Sequence, residues 1–395
     1  MEKFSINGTS LKYCTSKDSE CIIPDGIRAI ESRAFVYNTF IKSIKMPDTV
    51  EEVYSSAFSF CGSLEKIELS SKLKELSYNM FENCFSLKEI IGLENIQVIA
   101  SKAFNGCSSL KEIKLSKKIK EISDFAFNNC TNLEKISVDE KNKYYSSVDG
   151  VLYNKDLTTL ILYPAGKKDE EFILPDSVND ISYSAFQSNK YLKKVILNDN
   201  IRIIPDYCFN ECISLEKVEM GNKVRVINKY AFKSCRKILS INLSNDLESI
   251  IDGAFENCES LKEIIIPDKV HTICSYVFRN CCNIEHIELP LSLTSLGNEV
   301  FKDCKKLQKL VFKSIIKNIG TNILNGIENE LIVDFPGTVE QWMELTKTRS
   351  VCVSHPTQND FHYYGDSVDE YVPTVYEDRV IISALVNYKL ICKEQ

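Results

Sequence analysis

One spacing governs this chain. Phe35, Phe58, Phe81, Phe104 and Phe127 stand 23 residues apart, and the count resumes at Phe186 through Phe209, Phe232, Phe255, Phe278 and Phe301. A fixed short period is the mark of a solenoid, in which each copy is one coil and stacking buries a continuous core. It outranks the length prior, which would divide 395 residues into two or three globules.

Each copy has the same internal logic. A segment such as Leu110 to Leu115 ends in the alternation of a half-buried strand. Ile67, Ile90, Ile113, Ile136, Val195, Val218, Ile241, Ile264 and Ile287 form one inward column of mostly β-branched residues, which suit a pleated buried surface. A second apolar pair, such as Val224 and Ile227, lines the opposite wall. A small residue then precedes the ring (Ala57, Ala103, Ala126, Ala185, Ala231, Ala254), letting the chain turn beside it.

Nine of the sixteen cysteines follow the ring by three residues: Cys61, Cys84, Cys107, Cys130, Cys212, Cys235, Cys258, Cys281 and Cys304. They form a column set by the period. Stacked strands lie about 4.7–4.9 Å apart, whereas a disulfide wants Cβ atoms about 3.5–4.5 Å apart. The column therefore reads as buried free thiols acting as small hydrophobes, which suits a reducing compartment. No CxxC spacing suggests a metal, and no metal or cofactor is expected.

The pattern Ala-Phe-x-x-Cys-x-x-Leu-x-x-Ile-x-Leu-Pro resembles the BspA-type leucine-rich repeat, the short subclass built on 23 residues, over residues 23–324. The resemblance implies an α/β repeat solenoid, right-handed, with a parallel sheet on its concave face. It also implies surface adhesion or host contact as a typical use. Asn38 and Asn189 depart from the thiol column, and Gly92 breaks Leu87 to Leu93. Residues 1–22 read as an N-terminal cap or partial coil. Residues 139–171 read as a hairpin insertion, with strands Ser147–Tyr153 and Thr158–Tyr163 about a turn at Asn154–Leu157. Residues 325–355, with the sole tryptophan Trp342, resemble the closing cap of such solenoids. Residues 356–395 hold a polar stretch and an apolar run, 380–392, that fits a helix or a buried strand.

The outward sheet positions hold twelve lysines against ten glutamates in 33 places. A nearly neutral face argues against nucleic acid. Ion pairs are expected among Glu65, Lys66, Glu68, Lys88, Glu89, Lys111 and Glu112. Four outward residues of one column are apolar, Ile91, Ile196, Ile265 and Val311, with Leu239 and His286 nearby; they are candidate anchors for a protein partner. A second column, two residues before the ring, holds Phe125, Tyr207, Tyr230 and Tyr276. It offers interface aromatics or a carbohydrate surface, or it packs over the neighbouring coil.

Nucleotide-binding, hydrolase and zinc-protease motifs are absent from the sequence, and so is any catalytic set. His355 and His362 near Asp360 read as loop residues. The first expectation is a non-enzymatic, monomeric scaffold that binds a protein. The alternative is an enzymatic or ligand-binding unit in 325–395 carried by the solenoid. No apolar run approaches the roughly 18 residues of a membrane span, and no signal peptide is visible. The chain as written thus reads as cytoplasmic, or surface-located if it has been trimmed.

Overall fold

In a computed structural model of the chain, each copy is one turn of backbone that hydrogen-bonds to the turns before and after it. The structure describes residues 3–346, 372–376, 379–383 and 388–393. His355, His362, Asp360 and Cys352 lie outside these residues. Two compact units divide the chain: Met1–Asp169 with Ser177–Tyr191, and Glu170–Asp176 with Leu192–Gln395. The solenoid expected over 23–324 is shared between them.

In the first unit Glu20–Ile22, Ser43–Lys45, Lys66–Glu68 and Glu89–Ile91 form a parallel ladder in register, with Ile44 opposite Ile67 and Ile67 opposite Ile90. In the second, Glu171–Ile173, Lys194–Ile196 and Lys217–Glu219 do the same. The inward column is buried as its alternation requires, from Ile67 at 0% exposure to Ile264 at 7%, with Ile90 the half-buried exception.

The opposite wall is also a sheet. Its two-residue strands run from Ile203–Ile204 to Asn318–Ile319 as a six-stranded parallel ladder in the second unit. Such short strands leave no alternation to read, so the sequence shows only the buried apolar residue of each.

The ring-bearing turn makes a third hydrogen-bonded side. Ser56, Phe58 and Phe60 donate N–H to Tyr78, Met80 and Glu82 of the next coil. Three alternate residues can all face one side because the first and last are left-handed, with φ of 60° at both Ser56 and Phe60. The same pair of positions recurs at Asn79 and Asn83, and at Tyr230 and Ser234. Non-glycine residues pay roughly 1–2 kcal/mol for that conformation, and the hydrogen bonds between coils offset it. The rings above this turn stack: Phe58, Phe81 and Phe104 at 5.6 Å spacing, Phe209, Phe232 and Phe255 at 5.2 and 5.3 Å.

The insertion differs from the expected hairpin. Residues 147–153 are not one strand: Tyr145–Val148 and Val151–Asn154 pair antiparallel about Asp149 and Gly150, both at positive φ, and Thr159–Leu162 adds a third strand. An Asp-Gly pair is favoured in such a two-residue turn because both positions need positive φ. Tyr163 then takes the ring position, stacked 5.3 Å from Phe186. The interruption is therefore thirteen extra residues within one coil, since Tyr163 stands 23 before Phe186 and 36 after Phe127.

At the far end, Leu331–Asp334 extends the ladder of His286–Leu289 and Lys309–Phe312. The helix Val339–Thr346 follows, capped reciprocally: Thr338 N–H donates to the Gln341 side chain at 2.8 Å, and Gln341 N–H to the Thr338 hydroxyl at 3.3 Å. Trp342, 2% exposed, meets Phe312 and Phe335 edge-on. The described residues of the apolar run near the C-terminus are strand: Tyr388–Lys393 pairs parallel with Leu331–Asp334 and antiparallel with Arg379–Ser383.

Candidate functional site

The outward face of the longer strands is built by alternation, which sends one residue in two away from the core. Most of its charge is matched between coils. Lys45 meets Glu68 at 3.1 Å, Lys66 meets Glu89 at 3.1 Å and Lys88 meets Glu65 at 2.9 Å. In the second unit Glu219 takes both Lys194 and Lys217. Lysine holds the Glu65 and Glu219 carboxyls below their ordinary range. These exposed pairs keep the face wet and add little stability. Lys111 and Glu112, also expected to pair, make no ion pair among the described residues.

The apolar residues stand out against this background. Ile91 is 39% exposed and Ile265 85%, while Ile196 and Val311 are half-buried. Leu239 is 54% exposed. His286 is exposed, opposite Lys309 in the ladder and 3.2 Å from Glu288. Three of the column residues are separated by polar strands: Glu288 lies opposite Val311, and Glu219 opposite Ile196 on one side. On its other side Ile196 lies opposite Ile173, which is 63% exposed. Sequence reasoning missed Ile173 because the insertion hides its copy, although 173 is 23 before 196. Ile22, opposite Lys45, joins the same column in the first unit.

The tyrosine column is half-buried and engaged with its neighbours. The Tyr207 and Tyr230 rings lie 5.4 Å apart. A Cβ built on Gly253 would meet Tyr230 Cε1 at 2.3 Å, so that ring covers the following coil. Lys233 Nζ sits 4.6 Å from the same ring and bonds Glu256 at 2.8 Å. Arg279 lies over Tyr276 at 5.7 Å. All three tyrosines and Phe125 have φ between 57° and 64°, or 55° at Tyr230, a constraint that nothing in their side chains signals.

The thiol column has a structural task. Cys61, Cys84, Cys107 and Cys130 each donate from Sγ to the carbonyl of the phenylalanine 26 residues earlier, at 3.0–3.2 Å. Where Asn189 replaces the thiol, its amide donates to Pro164 O and Lys167 O while its oxygen accepts Tyr191 N–H. Burial pushes Cys130 up to about 12 and raises Cys107 and Cys235 well above the ordinary thiol range. Such thiols are poor nucleophiles. Outside the column, the half-buried Cys14 is held down to about 7 by a hydrogen bond from Cys21, whose own value rises.

Among the described residues no group of three or more His, Cys, Asp or Glu is placed to hold a metal ion. None of the helices there is long and apolar enough to cross a membrane. A cleft of about 650 Å³ opens beside Gly92 in the first unit.

Coils of this length, with parallel strands and ring and thiol columns, define a leucine-rich-repeat solenoid. The chain belongs to the BspA type leucine-rich repeat family, whose model, a BspA type Leucine rich repeat region of 6 copies, matches residues 5–134, 77–163, 165–285 and 271–344. No curated protein matches it. Among solved structures it is similar to a leucine rich cell surface protein of Faecalibacterium prausnitzii, at 21% identity and TM-score 0.61, covering 89% of this chain and 96% of that one. A leucine-rich repeat protein of Eubacterium ventriosum gives 21% and 0.66, covering 81% and 88%. The pneumococcal vaccine antigen PcpA gives 21% and 0.60, covering 88% and 93%. These likenesses show the fold.

Proposed function

We propose that the chain is a non-enzymatic scaffold whose outward sheet face binds another protein. One observation carries this reading: on a face where many lysines and glutamates are matched, large branched residues recur at one strand position within each unit, Ile22 at 71% exposure and Ile91 at 39% in the first, Ile173 at 63% and Ile265 at 85% in the second. Burying such a side chain against a partner contributes roughly 1.5–3 kcal/mol. A backbone already ordered by stacking loses little entropy on binding. The near balance of lysine and glutamate favours a protein over nucleic acid.

The setting we propose is the cell surface, following the description of the F. prausnitzii neighbour. The thiol column does not oppose it. Buried throughout, and raised well above the ordinary thiol range at Cys84, Cys107, Cys235 and Cys281, it resists oxidation in either compartment. Protease treatment of intact cells should remove the chain; full protection would overturn the location.

The test of the scaffold is capture from the native lysate by the wild-type chain and by Ile196→Glu/Ile265→Glu, with thermal melts confirming that both fold. The variant should lose at least one bound protein. Identical bound sets would overturn the sheet face as the contact.

A further inference from the structure

In the first unit Glu89–Ile91 pairs with Lys66–Glu68, and Glu112–Leu115 pairs with Lys135–Val138, but among the described residues no ladder joins Glu89–Ile91 to Glu112–Leu115. The gap falls where Gly92 stands in the place held by Leu69 and Leu115 in the flanking coils. Gly92 has φ 96° and precedes a 3₁₀ turn, Leu93–Asn95. A Cβ there would lie 3.0 Å from Leu69 O and 3.1 Å from Leu69 Cβ. Only glycine lets the chain drop onto Leu69 and leave the strand early. Ile90 is left half-buried where Ile67 and Ile113 are 0% and 2% exposed. The resulting cleft, about 650 Å³, is floored by Ile90, Leu93, Ile113 and Val138, a size that holds ligands elsewhere.

Two open strand edges face it. Alternate residues of a parallel strand bond to opposite neighbours. Glu89 N–H donates to Glu65 O, and Ile91 O accepts from Leu69 N–H, so both are committed to the preceding coil and Ile90 faces the gap. Across it, Lys111 O and Leu115 O accept from Glu134 and Asp139 of the following coil, which turns Glu112 and Lys114 toward the gap. Open edges of this kind are templates for an added strand.

The charge around the cleft selects the occupant. Lys88 and Glu89 are matched by Glu65 and Lys66. Glu94, Glu112, Asp139 and Lys114 make no ion pair among the described residues, leaving three carboxylates against one ammonium on the lining. We propose that the cleft takes an extended, basic segment of a partner protein as an added strand. The segment's backbone bonds Ile90 on one side and Glu112 and Lys114 on the other. An apolar side chain seats on Ile90, Leu93 and Val138, and a lysine or arginine meets Glu112 and Asp139. This rests on the reading of the solenoid as a protein-binding scaffold and supplies a binding mode for one coil.

The test titrates the full chain by calorimetry with three blocked hexapeptides: one alternating lysine and valine, the same peptide N-methylated at alternate residues, and one alternating glutamate and valine. The basic peptide should bind at one site, and N-methylation or charge reversal should each weaken it about tenfold or more. Glu112→Lys/Asp139→Lys, checked by its melt, should weaken the basic peptide about tenfold, while Ile196→Glu/Ile265→Glu leaves it unchanged. Absence of binding by the basic peptide, equal binding of its N-methylated form, or indifference to Glu112→Lys/Asp139→Lys would overturn the proposal. Any of these results leaves the capture experiment on Ile196 and Ile265 to decide the wider reading by itself.

Discussion

The Cys258 thiol donates to the Phe232 carbonyl at 3.2 Å, and both groups are fully buried. The bond ties a coil to the ring-bearing residue of the coil before it, so the thiol supplies a donor as well as volume. Cys258→Ala removes that donor while the Phe232 carbonyl keeps the Cys235 N–H at 3.1 Å, so the cost is the net worth of one hydrogen bond, about 0.5–1.5 kcal/mol. Urea unfolding should show that loss in the midpoint. An unchanged midpoint would make the thiol a mere space-filler.

The same burial gives the column a pH signature. Cys130 rises from its ordinary value of 9.0 to about 12 because the buried thiolate is not solvated. Between these values the unfolded chain has lost the proton while the folded chain keeps it, so stability falls as pH rises. The contribution is fully present below about pH 9 and is lost as pH approaches 12. Melting temperatures of wild type and Cys130→Ala should therefore converge between pH 8.5 and about 11, a window set by this shift. A constant gap would contradict it.

Phe232 lies between Phe209 and Phe255, at 5.2 and 5.3 Å, in a stack with no exposed face. Neighbouring coils are held apart by their own hydrogen bonds, so they cannot close over a missing ring. Phe232→Ala should cost about 3–5 kcal/mol, the usual penalty for a cavity of that size. Chemical denaturation reads it directly, and a cost below about 1 kcal/mol would mean that the coils do collapse.

Period made the rings, the inward β-branched column and the thiols legible, because each recurs at one phase with one chemistry. What stayed hidden lacked either recurrence or a distinctive side chain. Tyr163 replaces a phenylalanine and follows thirteen extra residues, so neither its identity nor its phase declared it. The Asp149-Gly150 turn was visible in principle, but Val148 and Val151 on either side read as one strand. Left-handed positions carry Arg33, Lys102 and Tyr207, residues with no turn preference, since tertiary hydrogen bonds dictate the conformation there. The run 380–392 could be helix or strand by hydrophobicity alone; for Tyr388–Lys393, pairing with Leu331–Asp334 decided it. Of the candidate face, the column was legible, but Ile173 was not. Nor was the opening beside Gly92, which depends on where the strand ends rather than on which residues it contains.

Tyr230 offers the means to separate a packing column from a free aromatic surface. Its ring occupies the space above Gly253, where a Cβ would lie 2.3 Å from Cε1 and 2.4 Å from Cδ1. Gly253 also has φ 60°, so any side chain there meets backbone strain as well. Gly253→Ala must displace the ring, and overpacking of this kind costs about 1–3 kcal/mol. Removing the ring first leaves only the backbone share of that penalty. Tyr230→Ala/Gly253→Ala should thus be more stable than the sum of the two single losses predicts, by about 0.5–3 kcal/mol of coupling. Strict additivity in urea melts would mean that the ring swings freely away from the coil, and would return Tyr207, Tyr230 and Tyr276 to the list of surfaces open to a ligand.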